Sequence, residues 1–130
     1  MRMWMIDPKK LCNKHLIGEH GELHKFLPSF RKGFRVDKRF IPVVQIQLNA
    51  ILERHDILAK EMIERGMSHK SPLLNIPDLK KTYPKYFDLN VDLDISNNDL
   101  CDRCIECKRR IEQFKYILQE GLDENNCCKP

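Results

Sequence analysis

The stretch Asp7-Pro8-Lys9-Lys10-Leu11-Cys12-Asn13-Lys14-His15-Leu16-Ile17-Gly18-Glu19-His20-Gly21-Glu22-Leu23-His24-Lys25-Phe26-Leu27-Pro28 decides the fold class. Asp7 is a good N-cap, and Pro8 is preorganised for the first helical position. The spacing predicts a helix running to about Leu27, stopped by Pro28. At about 100° per residue, Cys12, Leu16, Leu23, Phe26 and Leu27 share one arc, which is the face a globular helix buries. Glu19 projects into that arc, and His15 and Glu22 lie on its edge. Helix stability does not call for three ionisable side chains at the border of core and surface, so they are candidates for chemistry.

Working outward, Pro42 is read as the start of a second helix that continues to Arg65. Val44, Leu48, Ile51, Leu58 and Met62 form its seam, widened by Leu52, Ala59 and Ile63, with His55 inside it as a satisfied core histidine. Gly66 is a natural C′ residue. Val44-Gln45-Ile46-Gln47-Leu48 also alternates like a strand, which leaves the helix start open. Residues 67–97 are interrupted by Pro72, Pro77 and Pro84 and read as irregular, pinned to the core by Tyr83, Tyr86 and Phe87. Ser96-Asn97-Asn98-Asp99 has capping-box spacing and is read as the start of a third helix. Its stripe is Leu100, Cys104, Cys107, Ile111, Phe114 and Leu118, and its end falls near Gly121. The expected architecture is all-α: one domain over 1–122, three main helices with long connections, and a flexible tail over 123–130. There is no βαβ pattern and no glycine-rich phosphate loop.

The composition narrows the function classes. Of 130 residues 42% are apolar and 32% charged, which suits one soluble domain. No apolar run approaches the roughly 20 residues of a membrane span. The N-terminus has no secretory pattern, so a cytoplasmic or nuclear monomer is expected. Residues 1–70 hold 14 Lys/Arg and 8 Asp/Glu, whereas residues 71–130 hold 9 and 11. Lys25, Arg31, Lys32, Arg35, Lys38 and Arg39 are opposed only by Asp37 and are interleaved with Phe26, Phe30, Phe34 and Phe40. Interleaved cations and aromatics suit a polyanion with stackable bases, while a solvated loop with core-anchored aromatics is the plainer reading.

With no signal peptide, the six cysteines are expected as free thiols. Cys101-x2-Cys104-x2-Cys107 invites a zinc reading. A structural zinc needs four ligands, however, and the second pair is missing unless Cys12, a histidine or Cys127/Cys128 folds back, while buried cysteine as a small hydrophobe explains Cys104 and Cys107 without a metal. His20 and His24 read as a hydrated helix face, since Gly21 stands where a His-Glu-x-x-His motif needs glutamate. His69, beyond a helix end, reads as a cap or a backbone contact. Glu19 and Glu22, among Lys14, His15 and Lys25, can serve as a tuned acid or base, or merely as surface pairs.

Met1-Arg2-Met3-Trp4-x-x-Asp7-Pro8, followed by His15-Leu16-x-x-Glu19-x-x-Glu22-Leu23, resembles the N-terminal part of the pyrimidine-dimer DNA glycosylase family. Arg65-Gly66-Met67, preceded by Arg54-His55-Asp56 and Glu61-Met62, extends the resemblance, as does His69-x-Ser71-Pro72. It covers about residues 1–73 and implies an all-α fold of three helices. It also implies a glycosylase with abasic-site lyase activity on damaged double-stranded DNA, working without metal or organic cofactor. The family's nucleophile, an N-terminal α-amine, falls on Met1, and its catalytic carboxylate falls on Glu22. His15 would hold the sugar-phosphate, and Arg2, Lys25, Arg31, Lys32 and Arg35 would neutralise phosphates. A phage member of the family has arginines where Gly21 and Lys25 stand here, and the acidic 88–102 stretch also departs from it. Two other classes are carried beside the enzyme. One is a non-catalytic helical nucleic-acid- or partner-binding domain using the basic run. The other is a zinc-stabilised module built on Cys101, Cys104 and Cys107.

Overall fold

A computed structural model describes residues 2–69 and 71–114. Helices α1 (Asn13–Arg31), α2 (Ile51–Glu64), α3 (Leu79–Thr82) and α4 (Leu93–Arg103) are followed by further helix over 105–114, and no strand occurs among the described residues. The chain is all-α, as its periodicities predict, but several boundaries differ. Asp7 and Pro8 open only a 3-10 turn, Pro8–Lys10, with the Lys9 N–H donating to Asp7 Oδ1. The α-helix starts afresh behind Cys12, whose thiol accepts from the His15 N–H at 3.4 Å. Pro28 does not stop α1. It sits in the last turn, where the buried Phe26, Leu27 and Phe30 hold the helix in place across the missing N–H. The stop is Gly33, at φ 67°, with the Phe34 N–H returning to Ser29 O.

Helix α2 begins at Ile51 rather than at Pro42. The alternating stretch before it pairs with the N-terminal segment instead: the Met3 N–H donates to Gln45 O at 2.7 Å, and the Gln47 N–H donates to Met3 Sδ. Those bonds satisfy backbone that a helix would have used internally. Gly66 is the C′ residue, at φ 86°, with the Gly66 N–H on Ile63 O and the Met67 N–H on Met62 O. Leu48, Ile51, Leu58, Ala59 and Met62 are buried, whereas Leu52 and Ile63 are exposed and do not widen the seam. Tyr83 and Tyr86 are buried and do pin the long connection. Tyr83 donates to Phe34 O, Tyr86 donates to Asp37 Oδ1, and the Tyr86 ring stacks on Phe40.

The expected third helix is two helices. Asp92 caps α4 by accepting from the Asp94 and Ile95 N–H groups, so Ser96 lies inside the helix and is buried. At Cys104 the backbone turns extended (φ −138°, ψ 112°), and Cys104 caps the next helix. The Cys107 N–H donates to Cys104 Sγ, and the Lys108 N–H donates to Cys104 O. Leu118, the end near Gly121 and the tail lie outside the described residues.

One core runs from Met3 to Cys107, centred on Leu11, Leu16, Leu23, Phe26, Leu58 and Leu100. Each such side chain, fully buried, contributes about 1.5–3 kcal/mol. Through it runs a buried ion pair: Arg54 Nε and Nη2 donate to Glu19 Oε2 and Oε1 at 2.5 and 3.0 Å, and Arg54 Nη1 donates to Ile6 O at 2.7 Å. Arg54→Met strands the Glu19 charge and is expected to cost about 3–5 kcal/mol in urea denaturation. Adding Glu19→Leu should restore part of that loss. A single variant within about 1 kcal/mol of the parent would show that the pair carries little.

Candidate active site

Successive turns of α1 put His15, Glu19 and Glu22 along one edge of the helix. The N-terminal segment crosses that edge and presents Arg2 and Trp4. The end of α4 adds Arg103. Together with Lys14 and Gly18 these residues line a cleft of about 270 Å3. Three of the expected site residues, Arg2, His15 and Glu22, therefore share one concavity. Arg2 lies over the Trp4 ring at 4.4 Å and is held by Asp99 of α4, Nη1 to Oδ2 at 2.8 Å. Its Nε and Nη2 are buried without a hydrogen-bond partner. The Glu22 side chain is 27% exposed, and Lys25 Nζ stands 4.0 Å from its carboxylate. A Cβ at Gly21 would meet nothing within 4 Å, so packing does not impose glycine beside Glu22. Burial, then the charges of Lys14 and Arg103, hold the His15 imidazole below its usual range, which keeps it neutral near pH 7.

The basic run does not form part of this cleft. Arg31 is turned onto its own chain, with Nε on Asn75 O and Nη2 on Leu74 O. Arg35 is exposed and pairs with Asp37 at 3.2 Å, and Lys32 lies over Phe34. A hollow of about 600 Å3 runs along Arg35, Val36, Asp37, Lys38 and Arg39. Of the interleaved phenylalanines, only Phe34 is exposed. Phe26, Phe30 and Phe40 are core residues, which removes most of the stacking surface the spacing suggests. Met1 lies outside the described residues.

Two further clusters involve α1, and in the second Cys12 and a histidine do fold back onto the Cys104/Cys107 pair. His20, 8% exposed, is not on a hydrated face. It packs on His24, His55 and His69, with His20 Nε2 at 2.9 Å from His69 Nε2. The reason is α2, which buries this side of α1. His55 is the satisfied core histidine expected, held by Asp56 Oδ1 and Ser71 O. His24 Nε2 is buried without a partner. Burial, and then the neighbouring His55, His24 and His69, push the His20 pKa down to about 4. The second cluster joins Cys12 and His15 to Cys104 and Cys107, with the four donor atoms within 4.8 Å of one another. Burial pushes the Cys107 thiol up to about 12. Cys101 is not in this set. The signal available in the sequence is the equal spacing of Cys12-x2-His15 and Cys104-x2-Cys107.

A small helical protein with a carboxylate among cations in one cleft is the class defined by these observations. A family model for pyrimidine dimer DNA glycosylase matches residues 1–75, and the chain belongs to that family, which acts on DNA. No curated relative and no solved structure matches the chain. The matched region carries every cleft residue except Arg103. Among the described residues no helix is long and apolar enough to cross a membrane.

The histidine cluster sets an acid limit. The unfolded chain protonates His20 near 6.5, while the folded chain resists until about 4. Between those values the unfolded state binds more protons, so acid destabilises the fold. The His20–His69 contact also survives only while one ring accepts. Unfolding free energy is expected to be flat above about pH 7 and to fall from about 6.5 towards about 4. His20→Gln should flatten that fall. An unchanged slope in the variant would place the acid sensitivity elsewhere.

Proposed function

We propose that this chain releases the damaged base from pyrimidine dimers in double-stranded DNA and then cleaves the strand as an abasic-site lyase. The α-amine of Met1 is the nucleophile and Glu22 the catalytic carboxylate. The observation that carries the reading is that Arg2, the residue next to Met1, lines the same cleft as Glu22 and His15. An α-amine has a pKa of about 7.7–8.0 against roughly 10.4 for lysine, so an appreciable neutral fraction exists near pH 7.

The neutral amine attacks C1′ of the damaged nucleotide. The glycosidic bond breaks, the electron pair leaves with the base, and the amine nitrogen gives up a proton. Ring opening gives an iminium whose positive charge acidifies the C2′ proton. Removal of that proton expels the 3′ phosphate by β-elimination, and water then hydrolyses the imine. Glu22 stabilises the cationic sugar as charge develops and moves the C2′ proton. Arg2 lines the cleft, and its unpartnered Nε and Nη2 would suit a phosphate oxygen once DNA binding uncovers them. Neutral His15 can hold the sugar-phosphate by a hydrogen bond rather than by charge. Lys25, Lys32 and Arg35 are exposed enough to meet the backbone of a kinked duplex from which a nucleotide is extruded. Arg31 contributes indirectly, by fixing the loop at Leu74 and Asn75.

Borohydride reduction on a duplex containing one cis-syn thymine dimer should trap a covalent adduct that maps to the Met1 amine. An extra residue before Met1 should suppress it. Glu22→Gln should keep DNA binding while base release falls on the order of 10²–10⁴-fold. Trapping at a lysine would move the nucleophile. Binding without any adduct, on dimer or abasic duplex, would instead favour the non-catalytic nucleic-acid-binding domain.

The basic run allows a separate test. Arg35→Ala should reduce the slope of log K against log salt by about 1, because each neutralised phosphate contributes roughly 0.9. An unaltered slope would take Arg35 out of the DNA footprint.

A further inference from the structure

Two short segments, 92 residues apart in the chain, repeat the same local device. Cys12 caps α1 and has His15 three residues on, while Cys104 caps the helix over 105–114 and has Cys107 three residues on. A cap residue and its third successor point to the same side of a first helical turn, so each pair is a ready chelate. The fold sets the two pairs face to face. Cys12 Sγ is 3.7 Å from Cys104 Sγ, and His15 Nδ1 is 3.2 Å from Cys12 Sγ and 3.5 Å from Cys107 Sγ.

Those separations match the edges of a metal tetrahedron. With Zn–S near 2.3 Å and Zn–N near 2.0–2.1 Å, ideal edges are about 3.8 Å between sulfurs and about 3.5 Å between sulfur and nitrogen. A disulfide would instead bring two sulfurs to about 2.05 Å, and all four cysteines among the described residues are free.

The hydrogen bonds point the same way. The Cys12 N–H donates to Cys107 Sγ at 3.3 Å, the His15 N–H to Cys12 Sγ at 3.4 Å, and the Cys107 N–H to Cys104 Sγ at 3.4 Å. Each of the three sulfurs is therefore an acceptor. As three thiols they would add three S–H donors to that set, with one imidazole nitrogen and the weakly accepting sulfurs to receive them. As metal-bound thiolates they need just such donors, which orient ligands from outside the coordination sphere. Three thiolates and a neutral imidazole around a divalent cation leave one negative charge. Two helix N-termini meet it, and Lys14 and Arg103 line the adjoining cleft with His15.

We propose that Cys12, His15, Cys104 and Cys107 hold one structural Zn2+ in a closed site of three thiolates and one imidazole. A borderline-soft donor set of three sulfurs and one nitrogen, all within 4.8 Å of one another, favours zinc over calcium or magnesium, and four protein ligands leave no position open for a substrate. The site would staple the C-terminal helices to α1. That side of the molecule contributes Arg103 to the cleft and Asp99 to its Arg2, so the metal would brace the cleft wall. Ligation through Nδ1 would leave His15 Nε2 for a phosphate. The inference does not depend on the catalytic reading.

The full chain, purified under reducing conditions without added chelator, should contain one zinc per molecule by elemental analysis. Exchange into Co2+ should produce the intense visible bands of a tetrahedral site together with near-ultraviolet thiolate-to-metal charge transfer. His15→Cys should keep the metal and strengthen the charge-transfer bands, a readout that needs no loss of fold. Cys101→Ser and the paired Cys127→Ser/Cys128→Ser variant should keep full stoichiometry, and Cys107→Ser should lose it. Absence of zinc together with a featureless Co2+ spectrum would overturn the proposal. So would a Cys12–Cys104 disulfide in the reduced preparation, or loss of metal in the Cys101 or Cys127/Cys128 variants.

Discussion

The guanidinium of Arg54 holds together three parts of the chain that sequence keeps apart. It takes both oxygens of Glu19 on α1, it stands on α2, and its remaining donor goes to the Ile6 carbonyl. A buried arginine with every bond made is tolerable, whereas one with a bond missing is costly, so the three parts have little freedom to slide. The Ile6 carbonyl matters most for the site. Together with the Met3–Gln45 hydrogen bond it fixes the path of residues 2–6, and that path lays Arg2 and Trp4 against α1. Glu22 lies one turn beyond Glu19. Whatever sets the angle of Glu19 therefore also sets where Glu22 faces relative to the N-terminus.

Much of this is legible in the residues alone, and the limits are physical. The buried arc of α1 follows from 3.6-residue periodicity, and Glu19 stands out inside it as an anomaly. Its partner does not. Arg54 lies in a helix whose start the pattern leaves ambiguous, and a buried ion pair leaves no local signature on the second helix. Helix ends depart from expectation where tertiary contacts override local signals: Pro28 is carried through by buried aromatic neighbours, and Pro42 to Gln47 is claimed by pairing with Met3. The Ser96 capping-box pattern loses to Asp92, whose carboxylate caps the helix four residues earlier. His20 looks solvated because a helical wheel shows one helix and not what packs on its other side. The aromatic residues of the basic run look like a stacking surface, but three of the four fill the core. Sequence spacing cannot separate a phenylalanine that meets a base from one that meets a tyrosine.

Helix α1 carries an unusual load for 19 residues. One side packs the core, a second edge lines the cleft, and a third buries His20 and half-buries His24 against α2 and the segment that follows it. Its N-terminal cap is a cysteine rather than the Ser, Thr, Asp or Asn that helix energetics prefer. Cysteine is a poor cap on its own merits. Cys104 makes the same poor choice at the start of the next helix, and the two sulfurs face each other. A local cost repeated at two sites that meet in space is most simply explained by a shared demand on both sulfurs, which neither helix end would supply alone.

That demand bears on how the two halves of the chain cooperate. The family match ends at residue 75, yet the cleft needs α4: Asp99 fixes Arg2, and Arg103 helps to keep His15 neutral. Among the described residues, α4 and the helix after it meet the N-terminal part through few polar links. The Arg2–Asp99 pair is partly exposed, and Arg110 reaches only the Lys9 carbonyl. One ion pair and one hydrogen bond to a carbonyl are a narrow polar basis for holding two helices in register. Leu100 and Cys107 supply the apolar contact, but hydrophobic burial is non-directional and does not fix Asp99 opposite Arg2. Further directional bonds are the sulfur contacts between Cys12, His15, Cys104 and Cys107. The acidic C-terminal half is thereby built into the cleft through contacts among Cys12, His15, Cys104 and Cys107, and it supplies Asp99 as the ion-pair partner of Arg2 in a basic N-terminal half.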